Sequence, residues 1–175
     1  MPTLVRLLFD FTPPEKAPDC DLSQAEYVVA IPFGGHGLAQ PTGVVNRYLA
    51  ALAEEWSRKL DCPILTQWEI RQALPIIPRP EIIVGEVGDF HINTRQFAER
   101  LKERIGSVPF IAIAQLDHAK RFDWTCRKLG MNPLWPRLGE EMYDPKSRQW
   151  WARNKLSWRM WECAARIKFW FKGWI

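Results

Sequence analysis

The chain has 175 residues, of which 47% are hydrophobic and 25% are charged, and its formal net charge is +4. This length is sufficient for one domain with a substantial core, and the hydrophobic fraction is ordinary for a globular protein. No stretch is long and apolar enough to span a bilayer, and residues 1–15 lack the features of a secretory signal, so we expect a cytoplasmic protein.

We expect a single α/β domain over residues 1–175, beginning with an irregular N-terminal arm at residues 1–26. Residues 4–11 are apolar enough for an edge strand or a packing arm, and the prolines that follow them break any regular element. The apolar run at residues 27–31 predicts a strand buried on both faces. The next helix is expected to begin near Thr42, a good N-cap. Its inner face is predicted to hold Val45, Leu49, Leu52, Trp56 and Leu60.

Further strands and helices then alternate along the chain. Strands are predicted at residues 63–65, 82–84 and 109–116, with a short last strand at residues 132–135. Helices are predicted from Asn93 or Thr94 to Ile105, and after Asp117 as N-cap, with Gly106 and Gly130 as their stops. This alternation is typical of βαβ units, so the expected fold class is α/β, with a mostly parallel sheet covered by helices on both faces.

Glycine or polar residues follow four of the predicted strands. Gly34, Gly35 and His36 follow the first strand, Glu69 the second, Glu86 the third, and Asp117 and His118 the fourth. Open α/β sheets bind ligands in the crevice beyond the carboxyl ends of their strands. The sequence therefore predicts a site for a small anionic molecule at this edge.

The glycine cluster after the first strand allows close approach of a ligand and exposes N–H donors, although a tight turn alone would also require glycine. It is neither a P-loop nor a dinucleotide-binding motif. Arg47, in the helix that follows, is a candidate to reach a phosphate or carboxylate in the crevice. The alternative for Arg47 is a solvated surface side chain.

The start of the helix at Asn93 is a second candidate anion site. Asn93 and Gln96 resemble a capping box, and the N–H groups at a helix start can bind an anion. Asn93 and Thr94 are therefore candidate ligand residues, and Glu86 in the approaching loop is a candidate polar anchor. A plain helix cap and a plain loop acid are the structural alternatives.

His118 is the candidate catalytic acid or base. It is predicted to lie in the first turn of a helix, where the dipole lowers its pKa and favours the neutral imidazole. Arg121 follows on the same side of the helix, so the two could clasp an anion. The alternative is a capped helix start with solvated charges. The spacing of His and Cys residues predicts no metal site, and the cofactor, if any, is unknown.

The C-terminal residues 147–175 predict a long amphipathic, Trp-rich helix. Six of the ten tryptophans lie here, and residues 148–175 carry seven Lys/Arg and one Glu, a net charge of +6 that leaves −2 for the rest. Such a helix packs on the sheet or lies at a membrane surface. We expect packing for residues 150–167 and keep peripheral membrane contact by residues 169–175 as an alternative. Nucleic-acid binding is disfavoured, because phosphate contacts alone would be unspecific.

These motifs together resemble the YdcF/SanA/ElyC-like bacterial proteins, a domain family of largely unknown function. The similarity spans residues 26–170 and rests on Gly34-Gly35, Arg47, Glu69, Glu86, Asn93-Thr94-Arg95 and His118-Ala119-Lys120-Arg121. The resemblance implies a Rossmann-like α/β/α sandwich with a polar crevice, in a family linked to envelope functions or nucleotide-like ligands. The chain departs from the family at Thr66-Gln67-Trp68, where a glycine pair is common, and at Gln96-Phe97.

The leading hypothesis is a site for a phosphorylated or nucleotide-like ligand. Backbone donors would come from Gly34, Gly35 and Asn93, and positive charge from Arg47 and Arg121. The competing hypothesis is a non-catalytic peripheral membrane or partner-binding protein that acts through the C-terminal helix. The first requires the glycine turn, the helix start at Asn93 and His118 to meet in one pocket.

Overall fold

The computed structural model describes residues 4–35, 42–74, 82–83, 92–136 and 141–175. Five short strands form one sheet in the order β3-β2-β1-β4-β5. They are β1 (Tyr27–Ala30), β2 (Ile64–Thr66), β3 (Ile82–Ile83), β4 (Phe110–Ile113) and β5 (Pro133–Leu134). Every neighbouring pair is parallel, and β1 is central, with Val28 opposite Ile64 on one side and Ile111 on the other. The predicted α/β fold with a parallel, Rossmann-like sheet is confirmed.

Helices connect the strands and cover the sheet. They are α1 (Leu4–Phe9), α2 (Asp19–Leu22), α3 (Val44–Leu60), α4 (Trp68–Arg71), α5 (Thr94–Ile105), α6 (Leu116–Lys128) and α7 (Lys155–Phe171). A single 3-10 turn, Trp150–Ala152, precedes α7.

Two apolar clusters lie on the two faces of the sheet, because side chains alternate between faces along each strand. On one face Val28 and Ile111 pack with Leu49 of α3. On the other face Val29 and Ala112 pack with α5 and α6, through side chains that include Phe97, Leu101 and Phe122. The molecule is therefore a three-layer sandwich with a core above and below β1 and β4.

Two helices begin elsewhere than the sequence predicts. The N-cap of α3 is Gly43 and not Thr42. Helix α6 begins at Leu116, inside the stretch predicted as strand, and its N-cap is Gln115, whose side chain accepts from His118 N. Asp117 is not the cap; its carboxylate instead accepts from Tyr143 Oη and from Arg159.

The N-terminal arm is more regular than expected. It contains α1, so the edge strand proposed for residues 4–11 is wrong, whereas the packing arm is confirmed. Leu7 is buried against Phe169 and Ile175, and its carbonyl accepts a hydrogen bond from Arg166 Nη1 at 3.1 Å. This contact ties the beginning of the chain to its end.

The C-terminal segment is also shorter in helix than expected. Helix α7 begins at Lys155 rather than Ser147, with Asn154 as its cap and the 3-10 turn before it. Within the part of the chain that the structure describes, no helix combines the length and the apolarity needed to cross a membrane.

Candidate functional site

One cavity of about 210 Å³ lies beyond the carboxyl ends of the strands. Four predicted regions contribute to its wall: the turn after β1 (Pro32, Phe33, Gly34), the segment after β2 (Gln67, Glu69), the start of α5 (Ile92, Asn93, Thr94) and the first turns of α6 (His118, Arg121). Because β1 lies between β2 and β4, the cavity spans the point where the strand order reverses, as expected for an open parallel sheet. The predicted convergence is therefore found for Gly34, Glu69, Asn93, Thr94, His118 and Arg121.

The glycine turn is held in place by a buried side chain that the sequence analysis missed. Asn46, on the inner face of α3, accepts from Phe33 N at 2.7 Å and donates to Gly34 O at 3.1 Å. Both groups belong to the turn, so Asn46 fixes its path. Gly35 N donates to Ser147 Oγ at 3.3 Å. This N–H is therefore used within the protein and is not free to bind a ligand, although the sequence analysis predicted that it would do so.

Gly34 and Gly35 differ in what they require of a side chain. Gly34 has φ +71°, and a Cβ there would lie 3.0 Å from Ser147 Oγ and 3.1 Å from the Ala152 Cβ. Ser147 and Ala152 are fully buried, so neither can move aside easily. At Gly35 the nearest atom would be Gln149 Nε2, at an ordinary 3.6 Å.

Gly34→Ala is therefore expected to lower the free energy of unfolding by about 1–3 kcal/mol, through left-handed strain and the tight contacts. Gly35→Ala is the matched control and is expected to cost less than about 1 kcal/mol. Chemical denaturation of both variants measures the difference. Equal losses would show that Gly34 is not the constrained member of the pair.

The start of α5 is a complete capping box, as the sequence predicts. Asn93 Oδ1 accepts from Arg95 N and Gln96 N, and Asn93 N donates to Gln96 Oε1 at 3.0 Å. The backbone N–H of Asn93 is consequently occupied, and the prediction that it serves a ligand is wrong for this conformation. Thr94 instead turns its hydroxyl to His118, with 3.1 Å between Oγ1 and Nε2.

His118 is buried and neutral. Burial is the main cause that lowers its pKa well below the ordinary value, and the nearby Arg121 and Arg166 add to the effect. The neutral state agrees with the expectation from the helix dipole, although the larger cause is a different one. Trp158 packs edge-on against the ring, with 5.6 Å between centroids, and Nδ1 is buried without a partner among the described residues.

Arg121 is not a solvated cation; it belongs to a buried cluster of three charges, Arg121, Glu162 and Arg166. Arg121 Nε donates to both Glu162 oxygens at 3.1 and 3.0 Å, and Arg166 Nε donates to Oε1 at 2.9 Å. Two guanidinium groups share one carboxylate, so the cluster keeps a net charge of one positive unit. Of the three residues only Arg121 lines the cavity, so the cluster reaches the cavity wall through this guanidinium.

Glu69 is a cavity residue whose pKa lies close to neutral pH. Burial raises the pKa of its carboxyl from 4.5 to about 7, and the hydrogen bond from its own backbone N–H opposes this rise only in part. Its Oε2 is buried and has no partner among the described residues. A carboxyl with this pKa can hold or release a proton near neutral pH.

The raised pKa of Glu69 makes stability depend on pH. Between pH 4.5 and about 7 the unfolded chain releases this proton while the folded protein keeps it, so stability falls as pH rises through that window. The loss is expected to reach at most about 3 kcal/mol.

Glu69→Gln removes this term, so its stability relative to the parent protein is expected to increase between about pH 5 and about pH 8. Urea unfolding at both pH values measures it. Glu103→Gln, at an exposed position of α5, controls for the loss of one carboxyl. Parallel pH profiles for the parent and the Glu69 variant would contradict the raised pKa.

The remaining wall is aromatic and comes from the C-terminal segment. Trp151 and Trp161 stack with 4.5 Å between centroids and 14° between planes, and Trp158 packs on Phe33 at 4.5 Å. Together with Gln149 these residues line the cavity. The sequence could not place these residues at the cavity, because they do not directly follow a strand but come after α6 and β5. The excess of tryptophan in the tail was the only sequence signal.

Two predicted ligand residues of the described part of the chain, Gly35 and Arg47, are not among those that line the cavity. Arg47 is exposed on α3, and its Nη1 donates to the carbonyl of Thr42. His36 and Glu86 lie outside the described residues. Over the residues that are described, no cluster of three His, Cys, Asp or Glu side chains suited to a metal ion occurs.

Comparison of the chain with protein-family models, with curated proteins and with solved structures finds no match. The resemblance to YdcF-like proteins therefore remains a prediction from the motifs.

Proposed function

We propose that the protein binds a small anionic molecule, with a phosphate or similar group and a flat ring, in the cavity at the strand ends. The observation that carries the proposal is the position of Arg121, which lines the cavity and belongs to a buried Arg121–Glu162–Arg166 cluster with one positive charge in excess. Both arginines lower the pKa of His118, which means that their field is felt inside the wall. An anion would complete the charge balance.

The aromatic residues support a ring next to the anionic group. Trp151, Trp158 and Trp161 present large flat surfaces, and aromatic side chains stack on bases and sugars without needing a fixed hydrogen-bond pattern. Polar atoms that could orient the ligand come from Gln67 and Gln149. A nucleotide or an aryl phosphate combines these properties, and the YdcF-like motifs point to the same class.

Within this proposal, Glu69 and His118 have different roles. Glu69, with a pKa of about 7, is the group suited to exchange a proton with the ligand. His118 is neutral, with Nε2 held by Thr94, and acts as a hydrogen-bonding member of the wall. This assignment moves the acid–base role from His118, where the sequence analysis placed it, to Glu69.

Thermal unfolding of the full chain with nucleoside phosphates and sugar phosphates tests the proposal. A nucleotide is expected to raise the midpoint of unfolding more than inorganic phosphate or the uncharged nucleoside does, because only the nucleotide supplies both parts. Trp161→Ala is expected to weaken nucleotide binding by roughly 5- to 100-fold, the usual contribution of a stacking platform.

Met160→Ala is the matched control for Trp161→Ala, because Met160 is the exposed neighbour in α7 and does not line the cavity. We expect it to leave binding unchanged. Absence of stabilisation by every nucleotide and sugar phosphate, or equal loss in the two variants, would refute the proposed site.

A further inference from the structure

Helix α7 presents an apolar face to solvent. Leu156, Met160 and Phe171 are 71%, 64% and 77% exposed, and Ile167 and Ala164 are exposed between them. At about 100° per residue these positions fall within one narrow sector of the helix. A surface helix of a globular protein normally turns this sector toward the core and its polar residues toward water.

The opposite side of α7 is unusual because it buries charged side chains. It buries Glu162 and Arg166 together with Trp158 and Phe169. The charges that would normally be solvated are therefore inside, and the apolar side chains that would normally be inside are outside. This reversal is built into the packing, because Glu162 is fixed by two arginines.

Basic side chains border the apolar face. Lys168 and Lys172 lie on one flank of the helix. On the other flank, Lys155 pairs with Glu141 at 2.6 Å and Arg159 pairs with the buried Asp117 at 3.3 Å. The only acid of α7 is Glu162, and it is fully buried. The accessible surface of the helix is thus an apolar stripe with a lysine border on one side.

We propose that this face of α7 docks on an anionic lipid surface, with the apolar stripe among the acyl chains and the lysines at the headgroups. An apolar face flanked by cations is the pattern of a helix lying in the membrane interface. A second copy of the chain fits less well, since this face of α7 exposes no acidic side chain that could balance the lysines of the other copy. The contact differs from the one expected from the sequence: Phe169 and Ile175 are buried against Leu7, so residues 156–171 make it instead.

Flotation of the full chain with vesicles tests this assignment. We expect binding to vesicles of equimolar phosphatidylcholine and phosphatidylglycerol, and little binding to phosphatidylcholine alone. Met160→Glu is expected to lower the partition coefficient by about tenfold or more, because it places a charge in the apolar stripe. Lys168→Gln/Lys172→Gln is expected to lower it roughly 25-fold, at about fivefold for each lysine.

Two control variants make the same charge changes elsewhere on the surface. Ala51→Glu, on the exposed side of α3, matches Met160→Glu, and Lys59→Gln/Lys128→Gln matches the lysine pair. Both are expected to bind vesicles like the parent protein. The assignment is overturned by failure to bind the anionic vesicles, by equal losses in test and control variants, or by a lipid-free dimer that Met160→Glu dissociates.

Discussion

Glu162→Gln is expected to lower the free energy of unfolding by about 3–5 kcal/mol, one of the two largest effects of a single substitution in this protein. Glu162 is fully buried and accepts from the Nε atoms of Arg121 and Arg166. The amide keeps the size of the side chain and one acceptor oxygen, but it removes the negative charge. Two guanidinium groups would then remain in the interior without a counter-charge.

The other contacts of the two arginines do not replace that charge. Arg166 donates to the carbonyls of Leu7 and Asp10 at 3.1 and 2.8 Å, and it lies over the rings of Phe11 and Trp124. Arg121 lies over the ring of Phe169. Carbonyl dipoles and ring faces attract a cation far less than a carboxylate does, so the desolvation cost is left largely uncompensated.

Glu99→Gln is the matched control for Glu162→Gln. Glu99 also pairs with an arginine four residues away in the same helix, but its side chain is 45% exposed, so its loss is expected to cost less than about 1 kcal/mol. Denaturation with urea, at low and at high salt, measures the free energy of unfolding of both variants. A loss below about 1 kcal/mol for Glu162→Gln would show that the buried cluster tolerates an uncompensated charge.

Most of the fold could be predicted because its signals are local. The apolar runs at β1 and β4, the capping box of α5 and the inward spacing of Phe97, Leu101 and Ile105 each lie within one element. The boundaries that were wrong depend on competition between neighbours. Leu116, for example, extends an apolar run, but Gln115 caps the helix through His118 N and ends the strand early.

The candidate site was predictable only in part, for a related reason. Ligands bind beyond the carboxyl ends of parallel strands, and this rule places Gly34, Glu69, Asn93 and His118 at one edge of the sheet. It says nothing of Asn46, which acts from the face of a helix, or of Glu162, which reaches Arg121 across 41 positions of the chain. The contact of Glu162 arises only when α7 has docked, and no periodicity in the sequence encodes where a terminal helix docks.

Helix α7 thereby connects the two proposals. One side holds Glu162 and Arg166 in the interior, one edge supplies Trp158 and Trp161 to the cavity, and the outer side is apolar. A change on the buried side should affect both stability and the cavity, whereas a change on the outer side should affect neither. Trp158 is the residue for which this distinction is sharpest.

Trp158→Ala is expected to lower the free energy of unfolding by about 3–5 kcal/mol, as for other buried aromatic residues. The indole is almost fully buried, lies 4.5 Å from the ring of Phe33 and packs against His118. Its removal would also open the cavity beside the glycine turn. Leu156→Ala, on the outer side of the same helix, is the control and is expected to change stability by less than about 0.5 kcal/mol.

Trp158→Phe separates the packing of the indole from its polar atom. Nε1 is buried and has no partner among the described residues, so the indole N–H is a desolvation cost of about 1–3 kcal/mol that phenylalanine does not carry. The gain offsets much of the lost ring volume, and we expect a net loss near 1 kcal/mol or less in urea unfolding. If Trp158→Phe costs as much as Trp158→Ala, Nε1 must have an acceptor in solution. The indole would then be a hydrogen-bonding anchor of the cavity wall, not a purely apolar one.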